Sequence, residues 1–460
     1  MKTLKVPAVE KQKTSTRAER YATGKALRTK VPRSSQQAWA PATDRPDPIS
    51  LLEQSNRARL ANLVPIRYGR MLVSPFTFLR GSAVIMAQDL AATPVTGIQV
   101  QICGDAHVSN FGIYATPERN EVFDVNDFDE TLPGPWEWDV KRLAASIVVA
   151  GRGNSFSKSS NREAALRGVQ SYREHMREFS DMRAIEVWYS CVDIEKTVGR
   201  FRSANRPYIE QAVAQARRRT SARVFPQLTE HVNGQYRIKD EPPLIVHLDD
   251  NALVERLWKL IEGYGAVLPD DRLVLLSRYQ LVDIAEKVVG VGSVGTRCYV
   301  ALLLGPGNDR KDPLLLQMKE AQASVLESHL SPSIYPNHAQ RVVNGQHLMQ
   351  AASDIFLGWS RGGDTDFYIR QLRDRSSSPS IATLRESDFI AYAELCGWSL
   401  ARAHARSGDP ALISGYLGRN DAFDTAIASF AEIYADQVER DYERLAAAAR
   451  DGRVPVEKGV

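Results

Sequence analysis

Apolar residues recur at the three-to-four-residue spacing of helices over most of the chain. This spacing predicts helices at 48–63, 83–91, 162–179, 184–198, 208–224, 252–264, 387–406 and 422–448. Ser387 is predicted to cap the helix at 387–406. Residues 1–44, in contrast, are basic and polar with few large apolar groups. Such a segment buries too little surface to offset its ordering entropy, which predicts a mostly disordered tail.

Strand-like patterns are confined to two parts of the chain. Apolar and polar residues alternate at 97–102, and further strands are predicted at 283–289, 297–304, 314–319, 340–346 and 367–372, with a helix at 320–330. The glycines that follow residue 289, Gly290, Gly292 and Gly295, are predicted to form a hairpin tip. A dinucleotide-binding fold would need a helix directly after them, and a strand follows instead.

The predicted organisation is α+β. A small antiparallel β part at 281–374 is inserted between mainly helical parts at 45–280 and 375–460. Asp139 follows a Pro-Gly-Pro loop and is predicted to be the N-cap of a helix that carries Leu143 on its apolar stripe.

Length and composition are those of an ordinary globular protein. The chain has 460 residues, of which 43% are hydrophobic and 25% charged, and its net charge of +4 is too small to indicate nucleic-acid binding. The four cysteines are far apart in sequence, so neither a zinc site nor a disulfide framework is predicted. Because we find neither an apolar leader nor a run long enough to span a membrane, we expect a cytoplasmic protein with no membrane partner.

Oxygen ligands are densest between residues 103 and 130. Six acidic or amide side chains stand there among apolar residues, namely Asp105, Asn110, Asp124, Asn126, Asp127 and Asp129. Carboxylates beside apolar runs are costly to bury unless a positive group joins them. Hard oxygen ligands at this density suit Mg²⁺ better than a soft metal. The segment therefore predicts a Mg²⁺-phosphate site, in which Asp124 is expected to be structural.

Two sets of basic residues are candidates for binding anions. Arg67, Arg70 and Arg80 stand among aromatic residues, and the arginine side chain is a good fork for phosphate or carboxylate. The pattern leaves open whether these arginines bind an anion or form surface ion pairs. Lys319 follows the run Leu-Leu-Leu-Gln-Met, which predicts a buried lysine with a partner.

Short motifs in the chain resemble those of kinases. Gly104-Asp105-Ala-His107 is similar to the Gly-Asp-x-His segment of small-molecule kinases, and Asp105 precedes Asn110 by five positions, as in an Asp-x-x-x-x-Asn catalytic loop. A glycine-rich hairpin followed by a strand lysine also covers the nucleotide in kinases. The chain thus resembles the protein-kinase-like superfamily, closest to its aminoglycoside/choline phosphotransferase branch. Over about residues 45–450 it resembles the bacterial DUF2252 family.

This resemblance implies a two-lobed fold that binds ATP and Mg²⁺ and phosphorylates a hydroxyl of a small-molecule substrate. It implies Asp105 as the base, Asn110 and Asp127 as metal ligands, Asp129 as a further ligand or an orienting group, Asp139 as a structural aspartate, Gly290, Gly292 and Gly295 as backbone contacts to the phosphates, and Lys319 as their counter-charge. Glu320 or Glu327 would pair with Lys319, and spacing favours Glu327. Acidic residues near the site would suit a cationic or hydroxylated substrate.

The chain departs from the kinase pattern in two ways. Its catalytic segment precedes the glycine-rich segment, so the resemblance requires a circular permutation in which helix 387–406 leads into the catalytic loop. In addition, Cys103 replaces the expected histidine, and no glycine follows Asp127-Phe128. The missing glycine removes the usual flexible switch, which fits a small-molecule kinase better than a regulated protein kinase.

Three alternative functions stay open at the level of sequence. The fold could serve as a non-catalytic nucleotide-binding module, or pseudokinase, and it could transfer AMP instead of a phosphoryl group. Asp105-x-His107 is also a common start of a two-metal phosphoesterase site, although the eight histidines are scattered and form no further ligand motif. Neither the identity of the substrate nor the oligomeric state is readable, and no specific nucleic-acid partner is expected.

Overall fold

The computed structural model describes residues 15–198, 206–218, 220–307, 309–372, 377–378 and 380–459. Helices and antiparallel sheets are combined in it, which confirms the predicted α+β class. Within the described part of the chain, no helix is both long and apolar enough to cross a membrane. The first part of the predicted tail, residues 1–14, lies outside the described residues.

The N-terminal segment that follows is folded, so the prediction of a disordered tail is wrong for residues 15–44. Helix α1 (Arg17–Ala26) begins at the N-cap Thr16, whose side chain accepts a hydrogen bond from the first turn. Gly24 lies so close to the backbone of Leu412 that a Cβ atom at this glycine would be 1.9 Å from the Leu412 carbonyl oxygen. Composition could not reveal this packing, because the stabilising partner stands near the other end of the chain.

A run of short helices follows α1. They are α2 (Pro48–Asn56), α3 (Val64–Met71), α4 (Pro75–Gly81) and α5 (Ala83–Leu90). The helix predicted at 48–63 therefore ends earlier than expected. Each of α2, α3 and α4 has a proline in its first turn, where the missing N–H costs nothing, so the prolines divide the segment into separate helices.

Short strands position residues 103–130, which we call the acidic segment. They are β1 (Gln99–Ile102), β2 (Phe111–Ala115), β3 (Glu121–Val125) and β4 (Leu132–Pro135). β1 pairs with β4 and β2 pairs with β3, both antiparallel, and the strand predicted at 97–102 is confirmed. In this pairing the end of β1 lies opposite the start of β4, and the start of β2 lies opposite the end of β3. The connections 103–110 and 126–131 therefore meet at one place.

Helix α6 (Trp136–Gly153) follows β4 directly. Its N-cap is Pro135, so Asp139 lies inside the first turn and is not the N-cap that the sequence predicted. The helix begins three residues before Asp139, because Trp136 and Trp138 are both buried in the core and their packing holds the first turn against it. Asp139 is buried as a result.

The middle of the chain is mainly helical, as predicted, with short strands between the helices. Its elements are α7 (Lys158–Asp181), α8 (Ala184–Tyr189), β5 (Val192–Asp193), α9 (Ile194–Val198), α10 (Arg206–Arg218), α11 (Ser221–Leu228), β6 (Thr229–Val232), β7 (Gln235–Ile238), β8 (Ile245–Val246), α12 (Asn251–Tyr264) and α13 (Asp270–Leu276). The helix predicted at 184–198 is interrupted by β5, because Val192 pairs with Phe123 of β3.

The largest described sheet carries the lysine of the predicted site. Its remaining strands are β9 (Gln280–Lys287), β10 (Cys298–Gly305), β11 (Asp309–Ala321), β12 (Gly358–Gly362) and β13 (Thr365–Gln371). They pair antiparallel in the order β12–β13–β11–β10–β9–β8. Along β11, Leu316 and Met318 face an apolar core under the sheet. Because side chains alternate along a strand, Gln317 and Lys319 face the opposite side.

Two predictions around this sheet are wrong. Residues 340–346 belong to helix α14 (His338–Met349) and not to a strand. Residues 320–330 hold the end of β11 and a 3-10 turn at Val325–Ser328 in place of the predicted helix. A short apolar run does not distinguish a strand from a helix that is buried on several sides, and Arg341 and Val342 on α14 are both buried.

The last described helices are α15 (Glu386–Ser407), α16 (Pro410–Leu417) and α17 (Ala422–Arg450). They confirm the helices predicted at 387–406 and 422–448, although α15 begins after Arg385 and Ser387 is not its cap. Helix α15 packs along α7, and both contribute to the main apolar core together with α6 and α17. This core underlies the acidic segment.

Candidate functional site

The turn after β1 is fixed by the carboxylate of Asp139, which is 1% exposed. This carboxylate accepts hydrogen bonds from the backbone nitrogens of Cys103 (2.8 Å) and Gly104 (3.0 Å). Gly104 has a φ of +78°, and a Cβ atom at this position would lie 2.6 Å from the backbone oxygen of Glu130. Only glycine fits such a position without strain. The turn therefore presents the next residue, Asp105, in a defined orientation.

The carboxylate of Asp105 is held by Arg142 of α6. The Nε atom of Arg142 donates to Oδ1 of Asp105 at 2.6 Å. Asn110 donates from its side-chain nitrogen to the backbone oxygen of Asp105 at 2.8 Å, and Nε2 of His107 lies 3.7 Å from the carboxylate. Burial raises the pKa of Asp105 above its ordinary value, although the charge of Arg142 opposes this shift.

Asp129 and Lys319 form an ion pair between the acidic segment and the sheet. Tyr368, which lies opposite Lys319 on β13, donates to the other oxygen of Asp129 at 2.9 Å. Burial opposes the charge of Asp129, but the Lys319 ammonium group outweighs it and holds the pKa of Asp129 below its ordinary value. Burial likewise opposes the charge of Lys319, and the attraction of Asp129 raises the pKa of Lys319 nonetheless. Both groups are therefore charged at neutral pH.

Glu327, the predicted partner of Lys319, has a different role. Its carboxylate accepts a hydrogen bond from the backbone nitrogen of Ser324 at 3.4 Å and helps to cap a 3-10 turn. The other candidate, Glu320, pairs with Arg297 at 3.3 Å. The predicted pairing is wrong because it assumed that Glu327 lay on a helix beside the sheet, and that helix is replaced by the end of β11 and the turn.

The glycine-rich segment joins the antiparallel strands β9 and β10, as predicted, through a short 3-10 turn. Gly295 has a φ of +88°, which favours glycine. Arg59 donates to the backbone oxygen of Gly292 at 3.0 Å. The Ser293 hydroxyl donates to Asp129 at 3.2 Å. The segment is therefore bound both by the α2–α3 connection and by the acidic segment.

These elements enclose a cavity of about 130 Å³, which we call the central cavity. Predicted site residues that line it are Asp105, Asn110, Asp127, Gly290, Gly292 and Lys319. Asp129 lines a neighbouring cavity of about 40 Å³ together with Asp105 and Asp127. Gly295 is not among the residues that line the central cavity. It packs against the side chain of Arg59, and a Cβ atom added at Gly295 would lie 3.0 Å from the nearest carbon of that side chain.

Residues 59–448 match the model of the family described as "Uncharacterized protein conserved in bacteria (DUF2252)". The chain belongs to the DUF2252 family. The matched region contains both the acidic segment and the sheet with Lys319, so the family region includes all of the residues that line the central cavity. No curated protein and no solved structure matches the chain.

A larger cavity of about 940 Å³ adjoins the central cavity of this DUF2252 protein. The two cavities share Gly290, Gln317 and Arg370 in their walls. The larger one extends past the end of β13 to Ser377 and Ser378, in the connection between the sheet and α15. Small-molecule sites typically measure about 300–1,000 Å³. The site thus combines a small polar compartment with a compartment large enough for a ligand.

Carboxylate and amide side chains of the kind that can hold Mg²⁺ line the central cavity of the DUF2252 protein. Among the described residues, no group of three or more His, Cys, Asp or Glu side chains is placed to hold a metal ion. Mg²⁺ needs fewer protein ligands than that, since one or two carboxylates commonly hold it together with water and substrate phosphates. Asp127 supplies a carboxylate to the central cavity, and Asn110 supplies an amide oxygen.

Sequence reasoning missed Arg142, Arg341 and Tyr368, which hold the site together. Arg341 on α14 donates to the backbone oxygen of Asp129 at 2.8 Å. A signal for Arg142 was present, because it stands three positions after Asp139 and so lies on the same face of one helix. Arg341 and Tyr368 offered no such signal, since both reach the acidic segment from elements that are distant in sequence.

Proposed function

We propose that the protein is an ATP- and Mg²⁺-dependent phosphotransferase with a kinase-like fold, acting on a hydroxyl group of a small molecule. One observation carries the proposal. Lys319 and Asp129 pair across 190 positions of sequence, beside a central cavity that also contains Asp105 and Asp127. A base, hard metal ligands and a buried cation around one polar cavity are what phosphoryl transfer requires, because its catalysis is mainly positioning and charge neutralisation.

Each group has a distinct part in this proposal. Asp105 is the base, Asn110 and Asp127 are the residues that would hold Mg²⁺, and Lys319, Gly290 and Gly292 face the phosphates. Mg²⁺ supplies neutralisation of phosphate charge when it is bound. Asp105 takes the proton of the attacking hydroxyl, a contribution of about 10²–10⁴-fold to the rate. Asp129 pairs with Lys319 and orients it, a role that the sequence had led us to expect of Glu327 or Glu320.

The contacts of α15 support a two-lobed, circularly permuted arrangement. Tyr392 on this helix donates to the backbone oxygens of Val108 (2.7 Å) and Phe111 (3.0 Å). The helix that follows the sheet in sequence is therefore packed beside the catalytic segment, into which it would lead directly in an unpermuted kinase. In this arrangement the sheet of β8–β13 covers the nucleotide, and the larger cavity takes the nucleoside.

Thermal stability with ATP, in the presence and absence of Mg²⁺, tests the proposal. A ligand at 100 times its Kd adds about 2.7 kcal/mol to the free energy of unfolding, enough for a measurable rise in Tm. We expect a Mg²⁺-dependent rise that Asp127→Ala removes. Asp364→Ala makes the same charge change on the exposed β12–β13 turn and should retain the rise. A folded protein whose Tm does not respond to millimolar Mg-ATP would overturn the proposal.

Analysis of the products separates the related functions. Phosphoryl transfer releases ADP, AMP transfer releases pyrophosphate, and a pseudokinase binds the nucleotide without releasing either. Asp105→Asn sharpens the distinction, because it should abolish release of ADP while the Mg²⁺-dependent rise in Tm persists. A pseudokinase would show the rise in both proteins and turnover in neither.

A further inference from the structure

Three arginines surround the cavity of about 40 Å³ beside the central cavity. Arg59 stands in the α2–α3 connection, Arg67 on α3 and Arg80 on α4. Four carboxylates also line this space, those of Asp105, Asp127, Asp129 and Glu130. We call it the arginine cavity. Its arginines come from the run of short helices that prolines divide, so that segment forms one wall of the site.

Arg80 is the arginine with the fewest partners. Its Nε atom is buried without a hydrogen-bond partner, and its guanidinium group makes no ion pair within the described part of the chain. Burial lowers the pKa of Arg80, and the carboxylates of Asp105 and Asp127 oppose this shift from a distance. A guanidinium group in such a position is costly unless an anion joins it.

Arg59 and Arg67 are bound by neutral oxygens. Arg67 donates to the backbone oxygen of Gly81 at 2.6 Å and to the side chain of Asn56, and Arg59 donates to Gly292. Burial lowers the pKa of Arg67, and the nearby charge of Arg59 lowers it further. Within the described part of the chain, none of the three arginines forms an ion pair, whereas two of the four carboxylates are already paired, Asp105 with Arg142 and Asp129 with Lys319. One wall of the arginine cavity therefore holds guanidinium groups without carboxylate partners.

The arginine cavity lies at one end of a row of three cavities. It shares Arg80 and Gly292 with the central cavity, which in turn shares Gly290 and Arg370 with the large cavity. The two outer cavities have no described lining residue in common. With the nucleoside in the large cavity and the phosphates in the central one, the arginine cavity lies beyond the terminal phosphate. An acceptor must approach from that side.

We propose that the arginine cavity binds an anionic group, a phosphate or a carboxylate, of the molecule whose hydroxyl is phosphorylated. The inference rests on the proposed phosphotransferase function. One water needs about 10–15 Å³ of such space. A cavity of about 40 Å³ therefore has room for a group of a few heavy atoms. Arginine binds both kinds of oxyanion through its planar fork.

Asp105 lines both the arginine cavity and the central cavity, so an acceptor anchored by its anionic group would hold its hydroxyl beside the base. In the transfer, the acceptor oxygen forms a bond to the γ-phosphorus, and the bond from that phosphorus to the bridging oxygen of ADP breaks. The hydroxyl proton passes to Asp105. This acceptor is anionic, whereas the acidic residues alone had suggested a cationic or hydroxylated one.

Titration of inorganic phosphate, followed by calorimetry, tests the inference on protein saturated with magnesium and a non-hydrolysable ATP analogue. We expect phosphate to bind the wild type, and Arg80→Gln to weaken it by about 10–100-fold through loss of charge-assisted hydrogen bonds. Arg80→Lys should recover part of the affinity. Arg57→Gln removes the same charge at the exposed end of α2 and should leave phosphate binding unchanged.

Three results would overturn the inference: no binding of phosphate, a loss of affinity in Arg57→Gln equal to that in Arg80→Gln, or phosphate binding that occurs only when the nucleotide analogue is left out. The last result would mean that the arginines bind the phosphates of ATP. Binding of the nucleotide analogue is measured first, without phosphate, so that a failure of the phosphotransferase proposal is detected separately. If that binding is absent while Arg80→Gln still weakens phosphate binding, the anion site stands and its role as an acceptor site is overturned.

Discussion

As the proposed general base, Asp105 must meet two opposing requirements, because such a group has to be ionised and yet able to take a proton. Burial raises its pKa, while Arg142 at 2.6 Å favours the charged form. The balance decides the pH above which the carboxylate can accept the hydroxyl proton. In the proposed reaction, Arg142 is thus a positioning residue that would also set the working pH of the base.

Arg142→Gln is expected to move the acidic limb of the pH–rate profile to higher pH. Because Arg142 lowers the pKa of Asp105, its removal raises that pKa further, and the carboxyl group stays protonated and inactive up to a higher pH. The measurement is kcat/KM for ADP release as a function of pH, below the Tm of each variant. Arg142→Lys keeps the charge and should keep the limb near its original position. An unmoved limb in Arg142→Gln would contradict Asp105 as the base.

Elements were predictable where the local pattern decides them. β9, β10 and β13 and the helices α15 and α17 follow from alternation or helical spacing alone. Residues 340–346 and 320–330 were misassigned because, in a short segment that is buried on several sides, apolar residues no longer recur at the spacing that distinguishes a helix from a strand. The same limit applies to the candidate site: spacing alone singled out Asp105, Asn110 and Asp127, which line one cavity. The pairing of Lys319 with Asp129 depends on how the sheet packs over the acidic segment.

The glycine-rich element offers a matched pair of substitutions. Gly295 has a φ of +88°, so Gly295→Ala should lower the free energy of unfolding by about 1–2 kcal/mol. Gly290 has a φ of −59° and nothing within 4 Å of a Cβ atom, so Gly290→Ala should change stability by less than about 0.5 kcal/mol. Urea unfolding measures both. Equal destabilisation by the two changes would mean that this turn conformation is not the one the protein adopts.

At the scale of the whole molecule, the two ends of the described chain are both anchored on the body. At the N-terminal end, helix α1 packs on α16. At the C-terminal end, the backbone nitrogen of Glu457 donates a hydrogen bond of 3.0 Å to the carbonyl oxygen of Pro65, which belongs to α3. The helices that carry the arginine cavity are therefore braced by the C-terminal segment. Sequence composition described the N-terminal segment as a free tail because these contacts join parts of the chain that are far apart.

Gly24→Ala decides between a docked and a free N-terminal helix through the sign of its effect. On a free helix, glycine to alanine stabilises by about 0.5–1 kcal/mol. Against α16, the added Cβ atom would lie 1.9 Å from the Leu412 carbonyl oxygen, so α1 must move away and Tm should fall. Overpacking of this kind costs about 1–3 kcal/mol. The control is Gly263→Ala on α12, where nothing lies within 4 Å of the new Cβ and a small rise in Tm is expected. A rise in both variants would mean that α1 is not packed on α16.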